Sequence, residues 1–153
     1  MERDHVRLRF LGREDGMSEK LLGEMRAAEA RLAGNDGLQF NIAANYGGQD
    51  EILRAARTLA VRAQAGEIAP EDIDEAMFAG ALDTAGQPPV DLVIRTSGDL
   101  RLSNFLLWQS AYAEFWFTET NWPDFTPEEF VGALIDFAHR RRRFGGLNPS
   151  EEK

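Results

Sequence analysis

The 153-residue sequence contains no cysteine and only two histidines. Without thiols it can form neither a disulfide scaffold nor a cysteine-ligated zinc finger, and it has no thiol nucleophile. The longest uncharged apolar stretch, residues 104–113, is too short to cross a bilayer. Since no basic and apolar leader opens the sequence, we expect a cytoplasmic protein.

Basic residues are also scarce relative to acidic ones, with 17 against 26 and a formal net charge of -9. Phosphate backbones repel such a surface, so we expect no nucleic-acid partner. The hydrophobic fraction of 43% and the charged fraction of 28% are typical of a folded globular protein. The length matches one domain, which we expect to span residues 1–153.

Apolar periodicity predicts strands that alternate with helices, and hence an α/β fold with a parallel sheet flanked by helices on both faces. We expect strand 38–44 to be buried on both faces, and helix 50–65 to turn Ile52, Leu53, Ala56, Leu59 and Ala60 inward. Four strands are few for a doubly covered sheet, so we expect its N-terminal strands to be missing. The predicted strands are 6–11, 38–44, 90–94 and 114–118, and the predicted helices are 18–32, 50–65, 70–80, 103–110 and one beginning at Thr126.

Basic and hydroxyl side chains follow strand 90–94. Arg95 lies at its carboxyl end, where ligands of open parallel sheets bind, and Arg101 and Ser103 stand at the start of the next predicted helix. Two guanidinium groups, hydroxyls and free helix N–H groups together favour a phosphate or diphosphate site. Alternatively, Arg95 pairs with Asp99, and Ser103 is only the helix cap.

Glu114 is a lone carboxylate in an aromatic segment. Its burial would cost free energy unless it were paired or bound to a metal ion, and Mg²⁺ shared with a diphosphate would meet that need. Charged residues are usually exposed, however, and a glutamate at the end of a strand and facing water is the simpler interpretation.

Two further segments leave alternatives open. The basic run 139–143 either complements the dipole of a helix C-terminus or contacts a second phosphate or another subunit, where Gly145 would allow close backbone approach. The segment Asn45-Tyr46-Gly47-Gly48 follows another strand and is either part of the same crevice or simply a turn.

Four sequence blocks, in order, carry a family resemblance. Residues 91–115, DLVIRTSGDLRLSNFLLWQSAYAEF, closely resemble the C-terminal signature of the cis-prenyltransferases, and FNIAANYGG (40–48), WPDF (122–125) and RRFGG (142–146) resemble further blocks. The resemblance implies a homodimeric enzyme that condenses isopentenyl diphosphate onto an allylic diphosphate, usually farnesyl diphosphate. Its products would be long cis-polyprenyl diphosphates that carry cell-wall precursors. Membrane contact would arise only through this lipid product.

The resemblance also implies roles for particular residues. Glu114 would be a ligand of the Mg²⁺ cofactor, and Arg143 and Gly145 match an RxG element that reaches the partner's active site. The residues that would bind the diphosphate of isopentenyl diphosphate are Arg95, Arg101, Leu102 and Ser103.

The sequence departs from the family pattern in three places. Gln49 and Asp99 replace a common Arg and a common Glu, which are tolerable changes. More seriously, neither a DGNGRW-type motif, whose Asp binds Mg²⁺ and whose loop holds the allylic diphosphate, nor an FS-x-x-NW motif occurs. We therefore assign no catalytic residue and expect a C-terminal part that is inactive alone. The alternative is a non-catalytic accessory subunit or diphosphate-binding module, although the intact RTSGDLRLS segment and Glu114 favour part of an enzyme.

Overall fold

The computed structural model describes residue 1 and residues 3–140. The chain divides into two compact units, residues 1–87 and the residues from Pro88 onward. Both units pair their strands in parallel and combine them with helices, so the predicted α/β class is confirmed. A single domain over the whole sequence stays a prediction. Within the described part, no helix is both long and apolar enough to span a membrane.

In the first unit, strand β1 (Arg7–Leu11) pairs in parallel with β2 (Gln39–Ala43). Helix α1 (Glu19–Leu32) lies between them in sequence and contacts β1. It begins as predicted at Ser18, whose Oγ accepts a hydrogen bond from the N–H of Leu21 (3.2 Å). This cap supplies an acceptor for one of the N–H groups that a helix N-terminus leaves unpaired.

Strand β2 is not buried on both faces, so that prediction is wrong. Phe40 is 43% exposed, and Leu38, just before the strand, is 67% exposed. Within the described residues, pairing with β1 covers one edge of β2 and not its faces, and helix α1 contacts β1. An apolar run alone does not reveal how many neighbours will cover it.

Helix α2 (Gly48–Gln64) buries a different face from the predicted one. Leu59 is buried as expected, but Leu53 is 54% exposed, and the two alanines that were expected inward, Ala56 and Ala60, are exposed as well. The buried stripe contains a glutamate, which an apolar pattern could not select. Its members are Gly48, Glu51, Ala55 and Leu59.

The predicted helix 70–80 is divided into two short elements. A 3-10 turn (Pro70–Asp72) is followed by helix α3 (Glu75–Ala79), with Ile73 extended between them. Asp74 caps α3 by accepting a hydrogen bond from the N–H of Met77 (2.8 Å). An aspartate at this point starts a new helix because its side chain competes for the backbone N–H groups.

In the second unit, β3 (Leu92–Arg95) pairs in parallel with β4 (Glu114–Phe117). The connection between them contains turns, so the helix predicted at residues 103–110 is wrong. Ser103 and Asn104 have φ angles of 50° and 64°, in the left-handed region. Such angles interrupt a right-handed helix.

Helix α4 (Pro127–His139) follows a 3-10 turn (Trp122–Asp124) and begins as predicted. The hydroxyl of Thr126 accepts from the N–H of Glu129 (3.2 Å), and the Glu129 carboxylate accepts from the N–H of Thr126 (3.2 Å). This reciprocal pair is a capping box. The helix ends at His139, before the Gly145-Gly146 pair at which the sequence would stop it.

Replacing Thr126 by alanine should lower the free energy of unfolding by about 1 kcal/mol, since the hydroxyl that accepts from the N–H of Glu129 is lost. Urea unfolding measures the change, and Thr126→Ser should retain most of the stability. Thr58→Ala is the control, because Thr58 lies on an exposed face inside α2, where its hydroxyl donates to the carbonyl of Arg54. Equal losses for Thr126→Ala and Thr58→Ala would contradict the role of the cap.

Candidate functional site

The loop that follows β3 is fixed against the residues that follow β4. The carbonyl of Arg95 accepts from the N–H of Thr118 (3.0 Å), and the N–H groups of Ser97 and Gly98 donate to the carbonyls of Thr120 and Thr118 (both 2.9 Å). Gly98 has a φ of +70°, which glycine adopts without strain. These bonds fix the backbone from which the Arg95 side chain extends. The N–H groups of Ser97 and Gly98 already donate to backbone carbonyls and are therefore not available to a ligand.

Two guanidinium groups converge at this loop. Oδ2 of Asp99 accepts hydrogen bonds from Nη2 of Arg95 (2.7 Å) and from Nη2 of Arg101 (3.0 Å). The hydrogen bond from Arg95 is the largest cause that lowers the pKa of Asp99, and Arg101 lowers it further. Nε of Arg95 is buried and has no hydrogen-bond partner among the described residues. Arg95 therefore keeps one N–H donor, at Nε, without a partner, next to the Asp99 oxygen atom to which Arg95 and Arg101 both donate.

The structure forms the Arg95–Asp99 pair that the sequence left as an alternative. This pairing is compatible with an anion site, because the carboxylate oxygen occupies the point where both guanidinium groups meet. Ser103 is not a helix cap, since turns and not a helix come directly after it, and helix N–H donors are not part of the site. Leu102 is half-buried and Ser103 is exposed on the same turn.

Glu114 is the first residue of β4, and its N–H donates to the carbonyl of Asp91 (2.9 Å). The side chain is 31% exposed, and its Oε2 accepts from Nη1 of Arg140 (3.1 Å). Glu114 is therefore a half-buried, paired carboxylate rather than one that simply faces water. Arg140 offsets part of the cost of removing this charge from solvent.

The structure does not bring Arg95 and Glu114 together. Glu114 pairs in register with Leu92, three residues before Arg95, which is about 10 Å along the strand direction. Because side chains alternate between the faces of a sheet, this offset of three also directs Arg95 and Glu114 to opposite faces. The guanidinium pair and Glu114 thus form two separate sites of the second unit.

Arg140 and Asp136 belong to the Glu114 site but were not identified from the sequence. Nη2 of Arg140 donates to Oδ2 of Asp136 (2.6 Å), one helical turn earlier. The spacing of four residues is typical of ion pairs along a helix and was the available signal. Asp136, and then Glu114, raise the pKa of Arg140 from its ordinary value.

Other predicted residues lie elsewhere. Arg143 and Gly145 lie outside the described residues. The Asn45–Gly48 segment belongs to the first unit, where the Asn45 side chain donates to the carbonyls of Arg13 (3.3 Å) and Asp15 (3.0 Å). These bonds are typical of a turn that ties together the ends of two neighbouring strands.

The donor set available to a metal ion is small. Within residues 1 and 3–140, no group of three or more histidine, aspartate or glutamate side chains could hold one. Glu114 offers a half-buried hard oxygen donor, and Mg²⁺ typically takes one or two carboxylates and completes its shell with phosphate oxygens and water. Glu114 therefore fits Mg²⁺ as a single protein ligand.

Comparison with known proteins adds a family assignment to this geometry. A family model described as "Putative undecaprenyl diphosphate synthase" matches residues 1–145. The chain is 49% identical over 152 residues to an undecaprenyl-diphosphate synthase from Escherichia coli K12 that is specific for (2E,6E)-farnesyl diphosphate, covering 99% of this chain and 60% of the relative. An isoprenyl transferase from Rhodopirellula baltica is 48% identical, with 94% and 59% covered.

A similar solved structure is that of lavandulyl diphosphate synthase from Lavandula x intermedia in complex with dimethylallyl diphosphate. It superimposes with a TM-score of 0.89 at 38% sequence identity, covering 92% of this chain and 61% of the other. The chain thus spans about three fifths of the length of the relatives that it matches.

Proposed function

The chain belongs to the undecaprenyl diphosphate synthase family, and from that premise we propose that it supplies the isopentenyl diphosphate site of a cis-prenyltransferase. The complete enzyme would condense isopentenyl diphosphate with an allylic diphosphate, such as farnesyl diphosphate, and extend a cis-polyprenyl diphosphate. The observation that carries this proposal is the convergence of Arg95 and Arg101 on one carboxylate oxygen of Asp99.

The arginine pair would bind the diphosphate by exchanging one anion for another. In the free protein, the Asp99 carboxylate holds both guanidinium groups at hydrogen-bonding distance from a common point. A diphosphate that enters there would present several oxygen atoms to the same donors and to the unmet Nε of Arg95. Ser103 and the backbone at Leu102 would flank it, as the family resemblance implies.

This arrangement would serve catalysis by orientation. Condensation forms a carbon–carbon bond while a diphosphate leaves the allylic substrate, so the isopentenyl group must be held facing the reacting carbon. Arg95 is suited to that task because its backbone is fixed by the bond from Thr118 and its side chain is only 26% exposed. Arg101, which is 69% exposed, would act mainly as a second positive charge.

We propose Mg²⁺ as the cofactor and Glu114 as one of its ligands. When bound, Mg²⁺ supplies positive charge that stabilises a departing diphosphate. Glu114 and Arg95 point to opposite faces of β3–β4, so this ligand would act at a place distinct from the arginine pair of the same protomer. Homodimer formation, a cytoplasmic location and the role of Arg143 and Gly145 also stay proposals.

Direct binding of isopentenyl diphosphate tests the proposed function. Calorimetry on the 153-residue chain should detect binding of isopentenyl diphosphate and of inorganic pyrophosphate, but not of isopentenol, because the arginine pair recognises the diphosphate. Absence of any diphosphate binding would contradict the proposal.

A second assay addresses turnover. With farnesyl diphosphate, Mg²⁺ and labelled isopentenyl diphosphate, we expect no polyprenyl product from this chain alone, since its sequence holds no DGNGRW-type segment. Product from the parent chain but not from Glu114→Ala would make the prediction of inactivity wrong. Diphosphate binding without product would fit both an enzyme part and an accessory subunit, and only the first should become active when a DGNGRW-type segment is supplied by fusion.

A further inference from the structure

The Arg140 side chain makes three hydrogen bonds, two to β4 and one to α4. Its Nη1 donates to Oε2 of Glu114 (3.1 Å) and to the carbonyl oxygen of Phe115 (2.8 Å), and its Nη2 donates to Oδ2 of Asp136 (2.6 Å). The guanidinium is 28% exposed. One half-buried cation therefore lies between two carboxylates and one backbone carbonyl.

The carbonyl of Phe115 explains why the guanidinium stays at this position. The N–H groups of Glu114 and Thr118 point toward β3, so the intervening Phe115 carbonyl points away from the ladder. Arg140 satisfies this unpaired edge group, and its own N–H donates to the carbonyl of Phe137 at the end of α4 (3.1 Å). A cation there also complements the helix dipole.

The bond to Glu114 can therefore break without releasing Arg140. If Glu114 turned away, the guanidinium would still donate to the Phe115 carbonyl and to Asp136. Breaking the bond would cost only one of its three contacts, and that contact is partly exposed to solvent. The Glu114 carboxylate has one other oxygen, but the adjacent positive charge opposes the approach of a dication.

We infer that Arg140 is an internal counter-ion that occupies Glu114 until a metal ion displaces it, while Asp136 and the Phe115 carbonyl retain the guanidinium. This inference rests on the proposed role of Glu114 as a metal ligand. Arg140 is accordingly a positioning residue, since it acts on the metal ion only through Glu114. It sets the metal affinity of the site and keeps the half-buried carboxylate paired when no metal is bound.

Binding of Mn²⁺, followed by the electron paramagnetic resonance signal of the free ion, tests the inference on the full 153-residue chain. Arg140→Gln should tighten Mn²⁺ binding about fivefold, the equivalent of one partly exposed ion pair. Arg140→Lys retains the charge, but an ammonium group lacks the planar guanidinium geometry that reaches three acceptors at once. It should therefore compete less well for Glu114, and Mn²⁺ binding should tighten about twofold. Arg26→Gln is the matched control and should leave Mn²⁺ binding unchanged. It also removes an arginine that is paired with a glutamate, Glu14, but this pair belongs to the first unit.

A second readout follows Arg140 itself. On addition of Mg²⁺, its side-chain ¹⁵N resonances should shift in the parent protein and remain unchanged in Glu114→Gln. A merely structural role for Arg140 would produce neither this shift nor tighter Mn²⁺ binding in the variants.

The outcomes separate two kinds of failure. Mn²⁺ binding that depends on Glu114 but is unchanged or weakened in Arg140→Gln would overturn the counter-ion role while leaving the proposed metal ligand intact. Equal Mn²⁺ binding, or equal absence of binding, in the parent and in Glu114→Gln would overturn the metal role of Glu114 and the inference with it. Diphosphate binding at Arg95 would be unaffected by either result.

Discussion

Replacing Glu51 by alanine is expected to lower the free energy of unfolding by about 3 kcal/mol, because two half-buried donors lose the buried carboxylate that accepts their hydrogen bonds. Glu51 is 1% exposed, and its carboxylate accepts from the hydroxyl of Tyr46 (2.5 Å) and from the N–H of Asp83 (2.8 Å). These bonds tie the first turn of α2 to the turn after β2 and to the segment that follows α3. Urea unfolding of the parent and the variant measures the difference.

Three variants separate the hydrogen bonds of Glu51 from its volume and charge. Glu51→Gln keeps the length of the side chain and one carbonyl acceptor, so it should lose less stability than Glu51→Ala. Tyr46→Phe should cost about 1 kcal/mol in the parent background and less in the Glu51→Ala background, since the two residues share one bond. Glu24→Ala replaces an exposed helical glutamate and should change little. A loss in Glu51→Ala no larger than that in Glu24→Ala would show that the buried network is not stabilising.

This glutamate also shows where sequence patterns stop being informative. The N-caps Ser18 and Thr126 were predictable because capping depends on a few adjacent residues, and both form. The inward face of α2 was not predictable from the sequence. Glu51 is buried there with one partner nearby, Tyr46, and another more than thirty residues later, Asp83. Apolar periodicity counts such a residue as exposed.

The failed prediction of a helix at residues 103–110 has a related cause. The segment is apolar and contains good helix formers, yet three residues in it have positive φ angles. Those angles are imposed by the connection between β3 and β4, which an isolated segment does not report. Parallel pairing of the strands was predictable, whereas their number of covering neighbours was not, as the exposure of Phe40 shows.

The two parts of the candidate site differ in the same way. Arg95, Arg101 and Asp99 are close in sequence, so their convergence and the alternative Arg95–Asp99 pair could both be anticipated. The separation of Arg95 from Glu114 depends on the register of β3 against β4, which places the two side chains on opposite faces. Local sequence carries no information on that register. For the same reason it did not predict the bond between Glu114 and Arg140, which are 26 residues apart.

Arg95→Ala is expected to weaken binding of isopentenyl diphosphate about 30- to 100-fold, the equivalent of about 2 to 2.7 kcal/mol for lost charge-assisted hydrogen bonds. The loss is large because Arg95 is the less exposed member of the pair and its Nε has no partner among the described residues. In this variant Asp99 keeps Arg101 as a partner but loses Arg95, so the negative charge of Asp99 would repel the incoming diphosphate. Calorimetric titration with isopentenyl diphosphate at fixed ionic strength measures the effect.

Comparison with Arg101 and Arg26 determines whether this effect is specific. Arg101→Ala should weaken binding only about three- to fivefold, because an exposed charge is screened and contributes at most about 1 kcal/mol. Arg26→Ala removes the same charge in the other unit and should leave binding unchanged. Arg95→Lys should recover part of the loss, since an ammonium group retains the charge without the planar fork. Three equal losses for the alanine variants would mean that net charge alone attracts the diphosphate, whereas a loss confined to Arg95 and Arg101 would establish a built site at the end of β3.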